Sequence, residues 1–454
     1  MAASQGKRHA HWNQKVITLE LFMFAYHFGL ALRSLRRNPM LTILMVLTIG
    51  VGVASSMTTF AVFRATSRNP IPDKSSQLFL PQIDGWGETA GPDNDGEPSD
   101  MLSYTDAMAL IQARRAKMQT AMYPIEVSIM PTAASQLPIQ VSTYATYADT
   151  FPMFQIPFLF GGSWLPSDDE ARSAVVVISR SVNDTLFNGS NSVGREIVLN
   201  KRSYRIAGVM DNWNPQPLFY DLKNLGPFGQ AAQVFIPFTR AIDLQIPTSG
   251  ANLCHTSSDT GWDAWLRSDC TWIWYWSALP DASSQAAYRQ YLNGYASEQQ
   301  RLGRFHWAPN VRLRDVMQWL DYKHVVPPES KISLLISVGF LLICLVNTVG
   351  LLLAKFMRRA PEIGVRRALG APRKAIHEQF LIEAGTVGLA GGLLGLLMTG
   401  AGMFGVGLVF EPQIARLATF DASLVAITLC VAVFATVLAA LYPAWRAATV
   451  KPTW

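Results

Sequence analysis

Four stretches of the chain run for about twenty residues or more with no charged side chain: Leu41–Phe63, Ile332–Leu353, Ala384–Phe410 and Ala422–Tyr442. Each is long enough to cross about 30 Å of hydrocarbon as a helix. The first follows a basic segment, as a cleaved leader would, but it is too long and starts too late for one, so it is expected to stay as an anchor. Between Arg64 and Lys331 no segment is apolar enough to span. This long insert, rich in Pro, Gly, Asp, Ser, Trp and Tyr, predicts one or two folded domains outside the bilayer. Ahead of the first span, residues 1–40 hold a polar, basic start and then Val16–Arg37, in which Leu21, Phe24, Phe28, Leu32 and Leu35 recur at helical spacing. With Arg33, Arg36 and Arg37 at its end, the segment predicts an amphipathic helix lying in the membrane interface. A helix packed on another domain is the alternative. Residues 411–421 form a short connection between spans three and four, and 443–454 follow the last span.

Within the insert the period changes from helical to alternating. Asp84–Asp100 is a polar, turn-rich loop. Ser103–Ala116 predicts a helix capped by Ser103 or Thr105. A buried strand is expected over Val175–Ile178, and two strands around Asn200-Lys201. In TWIWYW, Trp272, Trp274 and Trp276 alternate, which puts all three on one sheet face. That face reads as core; if exposed, it is the first candidate for contact with an apolar substrate or partner. Cys254 and Cys270 are the only cysteines of the insert. In an oxidising compartment they could form a disulfide worth about 3 kcal/mol, the alternative being two buried thiols. Together these patterns predict an α+β membrane protein, with four transmembrane helices and a large extracytoplasmic α+β domain between the first and second.

Charge changes the picture at one place. The chain is 50% hydrophobic and 15% charged with a formal net charge of +6, and the excess gathers ahead of the first span and between spans two and three. Residues 354–383 contain Lys355, Arg358, Arg359, Arg366, Arg367, Arg373 and Lys374 against Glu362, Glu378 and Glu383. A short loop this basic stays on the cytoplasmic side, which orients every span and places both termini inside and the insert outside. Pro361 predicts the start of a brief helix, Glu362 meets its positive end, and Gly370 stops it; Pro372 starts the next. Ile363, Arg366, Arg367 and Gly370 fall at spacings of three and four, one face that could dock another protein. On charge alone, a plain positive-inside anchor explains the loop equally well. In span three, Gly388 and Gly392, and Gly391 and Gly395, give two overlapping faces for close helix packing. Asn347 in span two predicts a cross-helix hydrogen bond rather than transport chemistry.

The string EIGVRRALGAPRKAIHEQFLIEA resembles the cytoplasmic loop of the FtsX/MacB family of ABC-transporter permeases, with E-I-G-x-R-x-A-x-G-A and Q-F-L-x-E-A in register. The resemblance implies a coupling helix resting on an ATPase, with the contact made by Glu362, Ile363, Gly364, Arg366, Arg367, Ala368, Gly370 and Ala371. The strings of Phe151–Met210, from G-G-x-W through V-V-V-I-S to I-x-G-V-M, are similar to the MacB-type periplasmic core, and LYPAWRAATVKP is similar to the family's terminal motif. The family implies a bacterial inner-membrane protein working as a homo- or heterodimer with a second permease subunit above an ABC ATPase dimer. It also implies ATP and Mg bound in that partner and, for an exporter, a periplasmic adaptor and outer-membrane duct.

Other chemistries find no support. No G-x-x-x-x-G-K-[ST] occurs, so the ATPase is expected to be a separate subunit and this chain to bind no cofactor and catalyse nothing itself. His377-Glu378 lacks a second histidine at i+4, where Leu381 stands, and no other histidine cluster suggests a metal site. Nucleic-acid motifs are absent. The charge-free spans suit a lever that passes motion outward better than a polar solute path. Three readings remain: a permease exporting a drug, peptide or other compound; a lipoprotein-releasing permease of the LolC/LolE type; and an FtsX-like transmitter that controls a cell-wall hydrolase.

Overall fold

The computed structural model describes residues 39–86, 96–130, 138–255, 260–409 and 422–449, together with Gly29 and Arg33; of 406–409 only the backbone is described. The interfacial helix expected over Val16–Arg37 lies outside these residues apart from Gly29 and Arg33, as does the connection 411–421. The chain divides into two units, residues 1–67 with 326–454, and residues 68–325.

Among the described residues the first unit contains four helices long and apolar enough to cross a membrane: α1 (Pro39–Thr66), α10 (Pro328–Met357), α12 (Arg373–Val409) and α13 (Ala422–Ala448). Lipid offers no hydrophobic drive to bring such helices together, so close approach must come from small residues and interhelical hydrogen bonds. The glycines of α12 supply the first. A Cβ on Gly391 would stand 2.7 Å from Ile49 and one on Gly395 3.0 Å from Val53, both on α1. Gly388 and Gly392 instead face Thr436 and Ala432 of α13. The two expected faces therefore take two different helices. A hydrogen bond joins α1 to α10, where Ser56 Oγ donates to the Ser337 carbonyl at 3.1 Å. At the end of α1, Arg64 Nη1 donates to Ser423 Oγ of α13 at 2.8 Å. Asn347, expected to bond across helices, instead lies on the exposed side of α10 beside Ile343 and Val346. The opposite side of α10 already holds Leu341, Cys344 and Thr348 against the bundle.

The second unit is a mixed α+β domain. Among the described residues eleven strands order as β11-β1-β10-β3-β4-β9-β6-β8-β5, with β2 on β10 and β7 on β3 and β8. The main strands are β1 (Leu78–Ile83), β3 (Met118–Met130), β4 (Ile139–Thr146), β6 (Val175–Ser179), β8 (Arg202–Met210), β9 (Val234–Pro237) and β10 (Thr271–Ala278). The short ones are β2 (Leu102–Ser103), β5 (Phe158–Gly161), β7 (Glu196–Leu199) and β11 (Val311–Asp315). Most neighbours are antiparallel; β4–β9 and β6–β8 are parallel. The β7–β8 hairpin turns through Asn200 and Lys201, whose φ values of 47° and 66° give the two left-handed positions such a turn needs. Ser103 caps helix α2 (Tyr104–Ala113) by accepting from Asp106 N at 3.2 Å.

Trp272, Trp274 and Trp276 are wholly buried, so they offer no contact surface. They also do not share one face. The pairing of β10 with β2 shifts register between Thr271 and Ile273, and such an irregularity re-aims a side chain. Trp272 packs edge-on to Tyr123 at 4.7 Å, with Tyr104 and Trp265 nearby. Trp274 meets Trp319, and Trp276 meets Phe154 and Phe219, in a separate aromatic layer. Cys254 and Cys270 are joined by a disulfide, and Leu253 and Thr271 beside them exchange backbone hydrogen bonds at 3.1 and 2.8 Å.

Asp169 lines a cleft together with Met118, Tyr147, Asp149 and Pro166. Burial pushes its carboxyl up to about 7, against the N–H donors of Ala148 and Trp164, and the charges of Asp149 and Asp168 push the same way. A carboxyl raised this way holds its proton more tightly in the folded than in the unfolded chain. Its contribution is fully present below the unfolded value of about 4 and lost as pH rises through about 7. Thermal unfolding midpoints measured across that window should therefore fall less steeply with rising pH in Asp169→Asn than in the native chain. A second prediction concerns packing: Gly391→Leu forces α12 away from Ile49. It should destabilise the purified chain by about 1–3 kcal/mol in detergent unfolding, with Gly405→Leu, where a Cβ meets open space, as the neutral comparison.

Candidate functional site

The segment between α10 and α12 is built by local rules. Arg359 N bonds back to the Phe356 carbonyl at 3.0 Å, ending α10. Pro361 then sits in the first turn of α11 (Ala360–Ala368), where its missing N–H costs nothing, and Glu362 lies at the positive end of the helix. Gly370 closes it at φ +94°, a conformation that favours glycine, with its N–H on the Arg367 carbonyl and that of Ala371 on Arg366.

One side of α11 packs inward. Ile363 is buried in a cluster with Phe356, Ile376 and Phe380, and the Phe356 and Phe380 rings stack at 4.1 Å. Beside this cluster runs a chain of alternating charges. Lys355 Nζ lies 2.7 Å from Glu383 Oε1, and both side chains are essentially out of contact with water, at 0% and 1% exposure. The other oxygen of Glu383 accepts from Arg359 Nη1 at 3.0 Å. Arg359 also meets Glu362 at 3.4 Å, Glu362 meets Arg366 at 2.7 Å, and Arg366 donates to Gln379 Oε1 at 3.2 Å. The spans are charge-free only within their uncharged runs; the helices extend past those runs and carry Lys355 and Glu383 into the packed end of the bundle.

The expected docking face therefore needs correction. Ile363, Arg366, Arg367 and Gly370 do not form one outward face, because Ile363 is buried in the cluster that holds Phe356 and Phe380 and Arg366 is committed to Glu362 and Gln379. Arg367 is half-buried. What α11 turns outward is Pro361, Val365, Ala368 and Leu369, at steps of four, three and one, with Val365 62% and Leu369 83% exposed. Gly364 borders this strip, and a Cβ there meets nothing within 4 Å. Ala371 is half-buried at the start of the following turn. Sequence reading missed Lys355 and Glu383 as a pair, although the phase was visible. Thr348, Leu352, Lys355 and Phe356 share one helical face, as do Ile376, Phe380, Glu383, Ala384 and Val387, and all of these are buried.

The profile of the MacB-like periplasmic core domain matches residues 42–287, more than half of the chain, and that of the FtsX-like permease C-terminal domain matches residues 334–452. The chain belongs to the MacB/FtsX-type permease family. The segment between α10 and α12 lies wholly inside the FtsX-like match. The macrolide export ATP-binding/permease protein MacB of Azoarcus sp. (strain BH72) is 26% identical over 403 residues, 85% of this chain and 52% of that protein. The protein of the same name from Pasteurella multocida (strain Pm70) is 23% identical over 434 residues, 94% of this chain and 60% of that one. This permease thus spans about half the length of the curated relatives it matches. The crystal structure of the periplasmic region of MacB from Actinobacillus actinomycetemcomitans aligns with 54% of the chain and 92% of its own, at 13% identity and a TM-score of 0.35.

Proposed function

We propose that this chain is the permease subunit of an ABC transporter, transmitting movement from α11 to an extracytoplasmic domain so that a drug, peptide or other compound is exported. The observation that carries the reading is the outward strip Pro361–Val365–Ala368–Leu369 on a short helix held between two membrane helices. An apolar strip on a cytoplasmic loop needs a protein partner to cover it. Gly364 adds to this: glycine inside a helix costs about 1 kcal/mol, and no close contact among the described residues requires it there. Close approach of a second protein supplies the reason. That partner is an ABC ATPase, which binds ATP and Mg; no P-loop lies within these 454 residues.

Arg358, Arg359, Arg366, Arg367, Arg373 and Lys374 support a cytoplasmic loop. With four spans, both flanking segments then lie inside and residues 68–325 face the periplasm. The exposed side of α10, carrying Asn347, supports a second permease subunit in the membrane, since a polar amide facing lipid alone is costly. The macrolide-export name of the relatives supports export over release of lipoproteins or control of a hydrolase.

The docking strip is tested by Val365→Asp with Leu369→Asp in the full chain, purified from its own host's membranes. Burying two carboxylates at the centre of an interface should cost about 2 kcal/mol or more, so the co-purifying ATPase should drop about 30-fold while insertion is unchanged. Undiminished ATPase recovery would remove this strip as the contact.

A further inference from the structure

We propose that Glu383, held between Lys355 and Arg359, is the positioning group that locks α11 in register with both α10 and α12, so that the three segments move as one body. Its importance for transport rests on the function proposed above; the lock itself does not.

The geometry makes a closed circuit. Glu383 takes one cation on each oxygen: Lys355 from the end of α10 at 2.7 Å and Arg359 from the entry to α11 at 3.0 Å. Arg359 passes the contact to Glu362, Glu362 to Arg366, and Arg366 returns to Gln379 of α12. Gln379 and Glu383 are four apart on one helix, so the circuit begins and ends on adjacent turns of α12. Ile363 fills its middle against Phe356 and Phe380. Apolar packing alone is non-directional and would let a nine-residue helix slide or roll over those rings. Buried ion pairs add little net stability against apolar replacements, and their best-attested use is to fix register. Here two cations, one from the end of α10 and one from the entry to α11, meet at one carboxylate of α12, which is the arrangement a register lock requires. A push on Val365 and Leu369 then reaches α10 and α12 together.

The test uses the full chain in inside-out membrane vesicles, with Cys344→Ala and Cys430→Ala as background and Ile363→Cys as reporter. Ile363 is 4% exposed, so a membrane-impermeant maleimide should label the reporter slowly. Adding Glu383→Gln should speed labelling about tenfold by freeing α11 to open locally. Because Glu383→Gln leaves Lys355 buried without its counter-charge and could disturb insertion, Lys355→Met with Glu383→Met removes both charges at similar volume. It should speed labelling equally, since Arg359 loses its anchor, whereas Arg359→Lys should keep it slow. A cysteine at exposed Val365 controls for general loosening and should label alike in all backgrounds. Slow labelling of Ile363→Cys in both the Glu383→Gln and the double Met backgrounds would overturn the proposal and leave apolar packing as what holds α11. No ATPase enters this measurement, so its failure is distinct from failure of the docking reading.

Discussion

A carboxylate with no access to water survives only if its charge is answered on the spot, and Glu383 is answered twice. Lys355 and Arg359 come from opposite sides of the break between α10 and α11, and bringing both to one side chain dictates where α10 must end and how α11 must lie. Removing Glu383 would leave Lys355 buried without its counter-charge, which is far more costly than the pair is stabilising. The end of the helical bundle is thus specified electrostatically.

Further along the same helices the packing follows a different rule. Gly391 and Gly395 let α1 approach and Gly388 and Gly392 admit α13, so the glycines of α12 decide which neighbours it takes. The α+β domain has water on its outside and uses the hydrophobic effect instead. Large aromatics fill it, with Trp274, Trp276 and Trp319 in one layer and Trp272 and Tyr123 in another. One chain therefore carries two folding chemistries, and the boundaries fall where the hydrophobic period changes: α1 ends at Thr66, the domain takes in residues 68–325, and α10 begins at Pro328.

Features with local causes were legible: the charge-free runs marked the long helices, although α1 and α10 extend beyond them, over Pro39–Thr66 and Pro328–Met357. So were the Ser103 cap, the hairpin at Asn200 and Lys201, the stop at Gly370 and the two glycine faces of α12. Three features were not legible, each because it depends on a neighbour that sequence spacing does not show. Alternation put the three tryptophans together, but the register shift beside Thr271 sends Trp272 to the other layer. Helical spacing grouped Ile363 with Arg366 and Arg367, but Phe356 and Phe380 draw the isoleucine inward and leave Val365 and Leu369 outside. Lys355 and Glu383 sit just beyond uncharged runs, where charges ordinarily reach for water or headgroups; only their shared burial reveals them as a pair.

All of this has functional meaning only if α11 and the α+β domain lie on opposite sides of the bilayer. Cysteines placed one at a time at exposed Gln112 in α2 and exposed Val365 in α11 settle that point, in a chain with Cys344→Ala and Cys430→Ala. With the outer membrane permeabilised and the inner membrane intact, a membrane-impermeant maleimide should label Gln112→Cys, and should label Val365→Cys only after the inner membrane is opened. Labelling of both positions from the same side would contradict the account, because the loop would then share a compartment with the domain it is held to drive.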